Sequence, residues 1–404
     1  MNPSKPKPLA WLGEKLFRPR VGTLSPAASA HLDMFRGTAA FLVLIAHWRM
    51  LLFLDGSQVK HLNVGLYLFY WVTKLGHQAV IIFFVLSGFL VGRAVLRPIW
   101  SQRWSAPRYL LHRLIRLEIV LIPALLLCWL LDTTGSHLFH PSAVYLGTAK
   151  LVVLPYSPIE HLTVRIFAGN IAFLQTIYVP TFGSDDPLWS LANEFWYYVL
   201  FPCIVIACTG RFPKVRRIVA LAIFILLVIF FRTHDGDGIL QGFFCWLFGA
   251  GLAVLPEPAG LSPSLRRAGI TITGLLLLIQ LLLTYAPAPY NLEKGGFSQS
   301  DLILGVIFSG MMYFSLHDLL SVSEPYRETA KFIASVSYTL YLTHMPMLVF
   351  LEAWKGKRWD PNLLHISFAT GILLIPIVYA IGIWMLFERH TDSLRRRAEA
   401  MLGL

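Results

Sequence analysis

Apolar residues along this chain fall into long, nearly unbroken runs. They cover residues 37–54, 76–96, 111–131, 187–208, 218–231, 239–255, 270–285, 302–316, 332–351 and 365–387, separated by short stretches that carry Arg, Lys, Pro and Gly. A run of about 20 apolar residues, wound at about 1.5 Å per residue, spans the hydrocarbon core of a bilayer. The pattern therefore predicts an all-α polytopic membrane helix bundle of about ten transmembrane helices. Two further apolar stretches, 144–153 and 166–179, are too short to cross and are expected as re-entrant or surface-lying helices. The aromatics Tyr67, Tyr70, Trp71, Trp189, Trp196 and Tyr197 fall near proposed span ends, where amphipathic rings favour the interface. With no internal repeat visible, pattern gives no support to an inverted-repeat transporter.

Composition sharpens this reading. Of 404 residues, 56% are hydrophobic and only 14% charged, against roughly 25% charged in a soluble domain; mean hydropathy is +0.62. The net charge of +12 is spread between the apolar runs instead of gathered on one domain, which speaks against nucleic acid and for membrane orientation. With the N-terminus inside, the segments expected in the cytoplasm carry Lys5, Lys7, Lys15, Arg18 and Arg20, then Arg93 to Arg108, Arg211 to Arg217, Arg266 and Arg267, Arg327 and Lys331, and finally Arg389 to Arg397. Lys355, Lys357 and Arg358 fall on the outer side and run against the bias. Residues 1–29 lack the apolar core and small-residue cleavage site of a cleaved signal and read as a poorly ordered cytoplasmic leader. Residues 30–390 read as a single transmembrane domain, and 391–404 as a basic cytoplasmic tail. Cys128, Cys203, Cys208 and Cys245 lie inside apolar runs without paired spacing, as small core hydrophobes.

Charged and titratable groups inside such runs cost about 2.5–3.5 kcal/mol each and usually face a cavity. Four places stand out. Arg36 and His47 are eleven residues apart, which returns them to one helix face about 16 Å apart along the axis. They are expected to line one channel, the alternative being a snorkelling Arg and a hydrogen-bonded core His. Arg113 and Arg116, at i, i+3, share a face; two guanidinium forks suit a phosphorylated ligand such as a coenzyme A nucleotide, or simply set topology. Ser190 and Glu194 stand at i, i+4, and a carboxylate there can orient an imidazole or act as a base. Ser337, Tyr341 and His344 stand at i, i+4, i+7. By depth, the arginines lie towards the cytoplasm and His47, His344 and Glu194 towards the outer half. His61, His77, His137, His140, His161, His234, His317 and His390 show no ligand spacing. The sequence holds no His-Glu-x-x-His, Cys-x-x-Cys, Walker loop or Gly-x-Ser-x-Gly, which removes the commoner metalloenzyme, nucleotidase and hydrolase readings.

These segments, taken in order, resemble the membrane-bound acyltransferase 3 family. Leu32-Asp33-Met-Phe-Arg36-Gly37 with His47 is similar to its opening motif, and Phe83-Phe-Val-Leu-Ser87-Gly-Phe89 to its second-span signature. His112-Arg113-x-x-Arg116, Trp189-Ser190-Leu-x-x-Glu194 with Tyr197 and Tyr198, and Ser337-Tyr-x-x-Tyr341-Leu-x-His344 are similar to later ones. The chain departs from many members at Ile81, where they carry an acid whose role would be absent here or fall to a neighbour such as Gln78.

The resemblance implies a stand-alone O-acyltransferase that moves an acyl group, most often acetyl, onto a hydroxyl of a cell-surface or exported glycan. It implies acetyl-CoA as donor substrate and no metal. His47 would be general base or acyl carrier, Glu194 and His344 would orient base or acceptor, and Arg36, Arg113 and Arg116 would hold the donor's phosphates. Asp33, Ser87, Trp189, Ser190, Ser337 and Tyr341 would support them. The expected setting is the plasma membrane, the bacterial inner membrane, crossed many times. Expected partners are acyl-CoA, glycan, membrane lipid, and a second copy or glycan-synthesis machinery, with no nucleic acid. The alternative is a transporter or flippase of an anionic or lipid-linked sugar intermediate, in which the same side chains line a permeation path.

Overall fold

A computed structural model describes residues 16–19, 22–149, 151–234, 238–255, 262–283, 297–316 and 322–404. Among them the secondary structure is helical, with isolated bridges but no strand. The helices are α1 (Pro26–Leu52), α2 (Val64–Val72), α3 (Gly76–Trp100), α4 (Ala106–Leu138), α5 (Val164–Ile171), α6 (Leu188–Cys208), α7 (Lys214–His234), α8 (Gly238–Leu252), α9 (Pro263–Leu283), α10 (Gln299–Leu316), α11 (Glu324–Lys355), α12 (Leu363–Ile372), α13 (Leu374–Leu386) and α14 (Thr391–Leu402). The three longest start with the same local chemistry. Ser25, Ser105 and Ser323 cap α1, α4 and α11 through side-chain oxygens that accept a backbone N–H, and a proline follows in the first turn of each.

Each of the ten apolar runs contains a helix, and eight helical segments are long and apolar enough to cross a bilayer. The run at 239–255 yields only the 15-residue α8. That helix packs closely on α3, where Gly88 and Gly249 let the two backbones touch. A Cβ on Gly88 would stand 1.9 Å from the Trp246 carbonyl oxygen, and one on Gly249 1.8 Å from that of Val85. The 144–153 stretch departs from expectation: its described residues form turns, with Gly147 at φ +69°, a left-handed conformation that ends helical winding. The 166–179 stretch gives the short α5 and then turns. Trp196 and Tyr197, expected at an interface, pack inside the bundle, Tyr197 against Phe84, Phe243 and Trp246, because aromatic rings fill helix–helix cores as readily as interfaces.

The most extensive helix pair is α1 with α11. Their N-terminal ends meet where His31 Nδ1 lies 2.9 Å from the Tyr326 hydroxyl, and their C-terminal ends where Arg358 pairs with Asp55 at 2.9 Å, the Leu54 N–H donates to the Trp359 carbonyl and the Trp359 N–H donates to the Leu52 carbonyl. The outer-charge exception is thus tied by Asp55, and Lys355 stacks on Trp359. At the end that holds the α1 N-terminus, Arg93 and Arg97 donate to the Gly22 carbonyl, Arg211 to that of Trp100, and Arg108 pairs with Glu399 of α14. These four arginines therefore meet at one end of the bundle.

Candidate active site

Five motif-bearing helices enclose a cavity of about 160 Å³. From α1 comes Arg36; from α3, Phe83, Phe84 and Ser87; from α4, Arg113 and Arg116; from α6, Ser190 and Glu194 with Tyr198; from α11, Ser337, Tyr338 and Tyr341. One wall is apolar, with Val80, Leu86, Leu90 and Leu117 among its side chains. Helical spacing accounts for the pairs: Arg113 with Arg116, Ser190 with Glu194, and Ser337 with Tyr341 each recur on one face and reach the same space.

The polar groups of the wall are interlocked. Glu194 Oε1 accepts from Ser87 Oγ and from the Tyr198 hydroxyl, both at 2.6 Å. Ser87 Oγ in turn accepts from the Trp246 indole N–H at 3.2 Å, so the α3–α8 crossing sets the carboxylate's position. Ser190 Oγ and the Tyr341 hydroxyl lie 2.6 Å apart, and both are within reach of the Pro187 carbonyl oxygen. Ser337 donates to the Ala334 carbonyl. Trp189 supports the wall from behind, edge-on to Phe84. Asp33 lies 3.4 Å from Arg36. The Arg113 guanidinium lies over the rings of Tyr109 and Tyr198, at 5.7 and 5.6 Å from their centroids. Arg116 lies over Tyr338 at 4.7 Å and is ion-paired with Glu388.

His47 and His344 stand just outside this cavity. His47 Nδ1 lies 2.7 Å from His344 Nε2. His344 is fully buried, and its Nδ1 lies 3.0 and 2.9 Å from the carbonyl oxygens of Leu340 and Tyr341. Carbonyls only accept, so His344 Nδ1 carries the proton and its Nε2, in the neutral ring, accepts from His47 Nδ1–H. That leaves the lone pair of a neutral His47 on Nε2. The ring of Tyr341, on the cavity wall, is 6.0 Å from that of His344.

The structure therefore joins the histidines to each other and joins Glu194 to the arginines. Of the pair expected to line one channel, Arg36 lines this cavity and His47 is not among its lining residues; Phe83 packs edge-on against Tyr341 in the cavity wall. The described hydrogen bonds link Glu194 to neither histidine. Ile81 is fully buried against Cys245 and Leu304, so its position is met by packing. Among the described residues no group of three His, Cys, Asp or Glu side chains is arranged to hold a metal ion.

Several partners had no sequence signal. Glu388 and Glu399, which pair with Arg116 and with Arg108 and His112, lie more than 270 residues away in the chain. His77, read as background, pairs with buried Asp301 at 2.9 Å. His317 lies outside the described residues.

A family model described as an acyltransferase domain matches residues 29–385. The chain is similar to O-acetyltransferase OatA of Staphylococcus aureus (strain NCTC 8325 / PS 47), 24% identical over 376 residues that cover 87% of this chain and 55% of that protein. It is also similar to peptidoglycan O-acetyltransferase OatA of Listeria monocytogenes serovar 1/2a (strain ATCC BAA-679 / EGD-e), 26% identical over 328 residues that cover 74% and 49%. The chain spans about half the length of these curated relatives. No solved structure matches it. The matched region takes in every helix that lines the cavity and both histidines, and on that ground the chain belongs to the membrane-bound acyltransferase 3 family.

Proposed function

We propose that this protein is an integral membrane O-acyltransferase that moves an acetyl group from cytoplasmic acetyl-CoA to a hydroxyl of a glycan at the outer face of the plasma membrane. The Listeria relative is a peptidoglycan O-acetyltransferase, which makes peptidoglycan the first acceptor to test. One observation carries the reading: a cavity walled by three guanidiniums ends one helical turn from a histidine pair whose tautomers are fixed.

In this reading the basic end of the bundle is cytoplasmic. The donor's phosphates bind at the arginines, which offer forked donors to phosphate oxygens. A cavity of about 160 Å³ is small beside the roughly 300–1,000 Å³ of sites that enclose a whole ligand, so it seats only part of a donor this large. His47, partly buried, takes the proton of the acceptor hydroxyl on Nε2. The oxygen attacks the thioester carbonyl carbon, the carbon–sulfur bond breaks, and the thiolate leaves and is protonated. His344 holds His47 in the required tautomer, and the Tyr341 hydroxyl, one helical turn before His344 and paired with Ser190 Oγ, would turn to donate to the developing oxyanion.

The test is transfer of labelled acetyl from acetyl-CoA to glycan by membranes that contain the protein. His47→Ala is expected to abolish transfer while the protein remains folded and inserted, and near-normal transfer would overturn the role of His47. A transporter would move its substrate without consuming acetyl-CoA.

A further inference from the structure

We infer that Glu388 is a positioning residue that withdraws Arg116 from donor binding, leaving Arg113 as the principal anchor of the donor's phosphates. The inference rests on the donor reading above and divides the three arginines that the sequence treats alike.

Glu388 lies just past the C-terminal end of α13 and is buried. One carboxylate oxygen, Oε1, accepts from the Arg116 guanidinium. The other, Oε2, accepts from the Thr339 backbone N–H at 3.2 Å and from the Thr339 hydroxyl. A single carboxylate therefore ties α4 to the stretch of α11 between Ser337 and Tyr341. Arg116 lines the cavity and lies over the Tyr338 ring, but its charge is already matched by a buried anion in contact with it. Arg36 is partly matched by Asp33. Arg113 lines the same cavity and, among the described residues, pairs with no carboxylate; it lies over Tyr109 and Tyr198, and its buried Nε has no hydrogen-bond partner. Aromatic faces hold a guanidinium without neutralising it, and leave its forked edge to an incoming anion. A phosphate entering this cavity meets one unmatched positive charge, at Arg113.

The decisive variant is Glu388→Gln, because it removes the charge at the same size and keeps one acceptor oxygen, the amide NH2 taking the place of the other. A residue with a purely structural role would weaken ligand binding when replaced. Here the opposite is expected: with its anion gone, Arg116 becomes a second free guanidinium. CoA binding to the purified full-length protein in detergent, at low ionic strength, should tighten about threefold, the scale of one partly exposed ion pair, and kcat should fall as α11 is released. The tightening should vanish in Glu388→Gln/Arg116→Gln. Arg113→Gln should weaken CoA binding about tenfold or more, whereas Arg116→Lys, which preserves the pairing charge if Arg116→Gln fails to fold, should change it less than twofold. Looser CoA binding in Glu388→Gln, or an Arg116→Lys defect as large as that of Arg113→Gln, would overturn the inference. Pyrophosphate separates the two levels. If the wild type binds neither CoA nor acetyl-CoA but binds pyrophosphate with the same pattern across variants, the donor assignment falls and the division of the arginines stands. If pyrophosphate binding ignores Arg113, the division falls as well.

Discussion

The tautomer of His47 is set by a residue 297 positions away. Leu340 and Tyr341 carbonyls fix the proton of His344 on Nδ1, and the 2.7 Å bond to His47 passes that choice on. Removing the lock should leave the donor site intact and misdirect the base. His344→Ala is expected to lower kcat by about 10²–10⁴-fold, the range over which a positioned general base contributes, with KM for acetyl-CoA within about twofold. Steady-state kinetics on the detergent-purified protein checks this split, and a rise in KM of similar size would assign His344 to binding instead. The residue scale also shows what spacing can reveal. Ser190 with Glu194 and Arg113 with Arg116 were legible as pairs because a helix repeats its face every three to four residues. Glu388 was not, since its meaning lies in a guanidinium on another helix.

At the scale of elements, the cavity wall depends on one very close crossing. The small-residue contact of Gly88 and Gly249 brings α8 against α3, and that approach lets Trp246 reach Ser87 and Ser87 reach Glu194. In a bilayer, lipid offers no hydrophobic drive between helices, so close backbone packing and interhelical hydrogen bonds supply the association. Gly249→Leu should therefore push the two helices apart, with a loss of about 1–3 kcal/mol or more from overpacking. Gly251→Leu, two residues on, meets nothing within 4 Å and should be neutral. Thermal unfolding followed by size-exclusion chromatography distinguishes the two, and equal behaviour would remove the crossing from the account. The 15-residue α8 shows why a run read as a span by length alone can pack as a shorter internal helix: its apolar surface serves other helices.

At the scale of the whole molecule, the two ends of the bundle differ in electrostatics. The end with the α1 N-terminus gathers the basic connections. The opposite end holds a buried acidic group: Asp185 is fully buried with neither carboxylate oxygen hydrogen-bonded, and Asp186 lies beside it. Burial pushes the Asp186 carboxyl up to about 7 and that of Asp185 well above the ordinary range, with neighbouring Asp132 adding to the shift of Asp185. Folded carboxyls with raised pKa bind protons that the unfolded chain has released, so this stability is complete below about pH 4 and is lost as pH rises towards and past 7. The detergent-solubilised protein should therefore unfold several degrees higher at pH 5 than at pH 8, other groups being equal. Asp185→Asn should raise the pH 8 value and flatten the difference; a steeper dependence in that variant would contradict the origin assigned to it.

The sequence by itself determined the class of molecule and most of the cavity wall. Uninterrupted apolar runs require bilayer-crossing helices because backbone polar groups must pair within the segment, and periodicity placed Arg113, Arg116, Ser190, Glu194, Ser337 and Tyr341 on inward faces. Which groups meet across helices was decided only by tertiary packing. The pairing of His47 with His344, the capture of Arg116 by Glu388 and the separation of the histidines from the Arg36 cavity all depend on helix rotations and crossings of a few ångströms, which one-dimensional spacing does not encode.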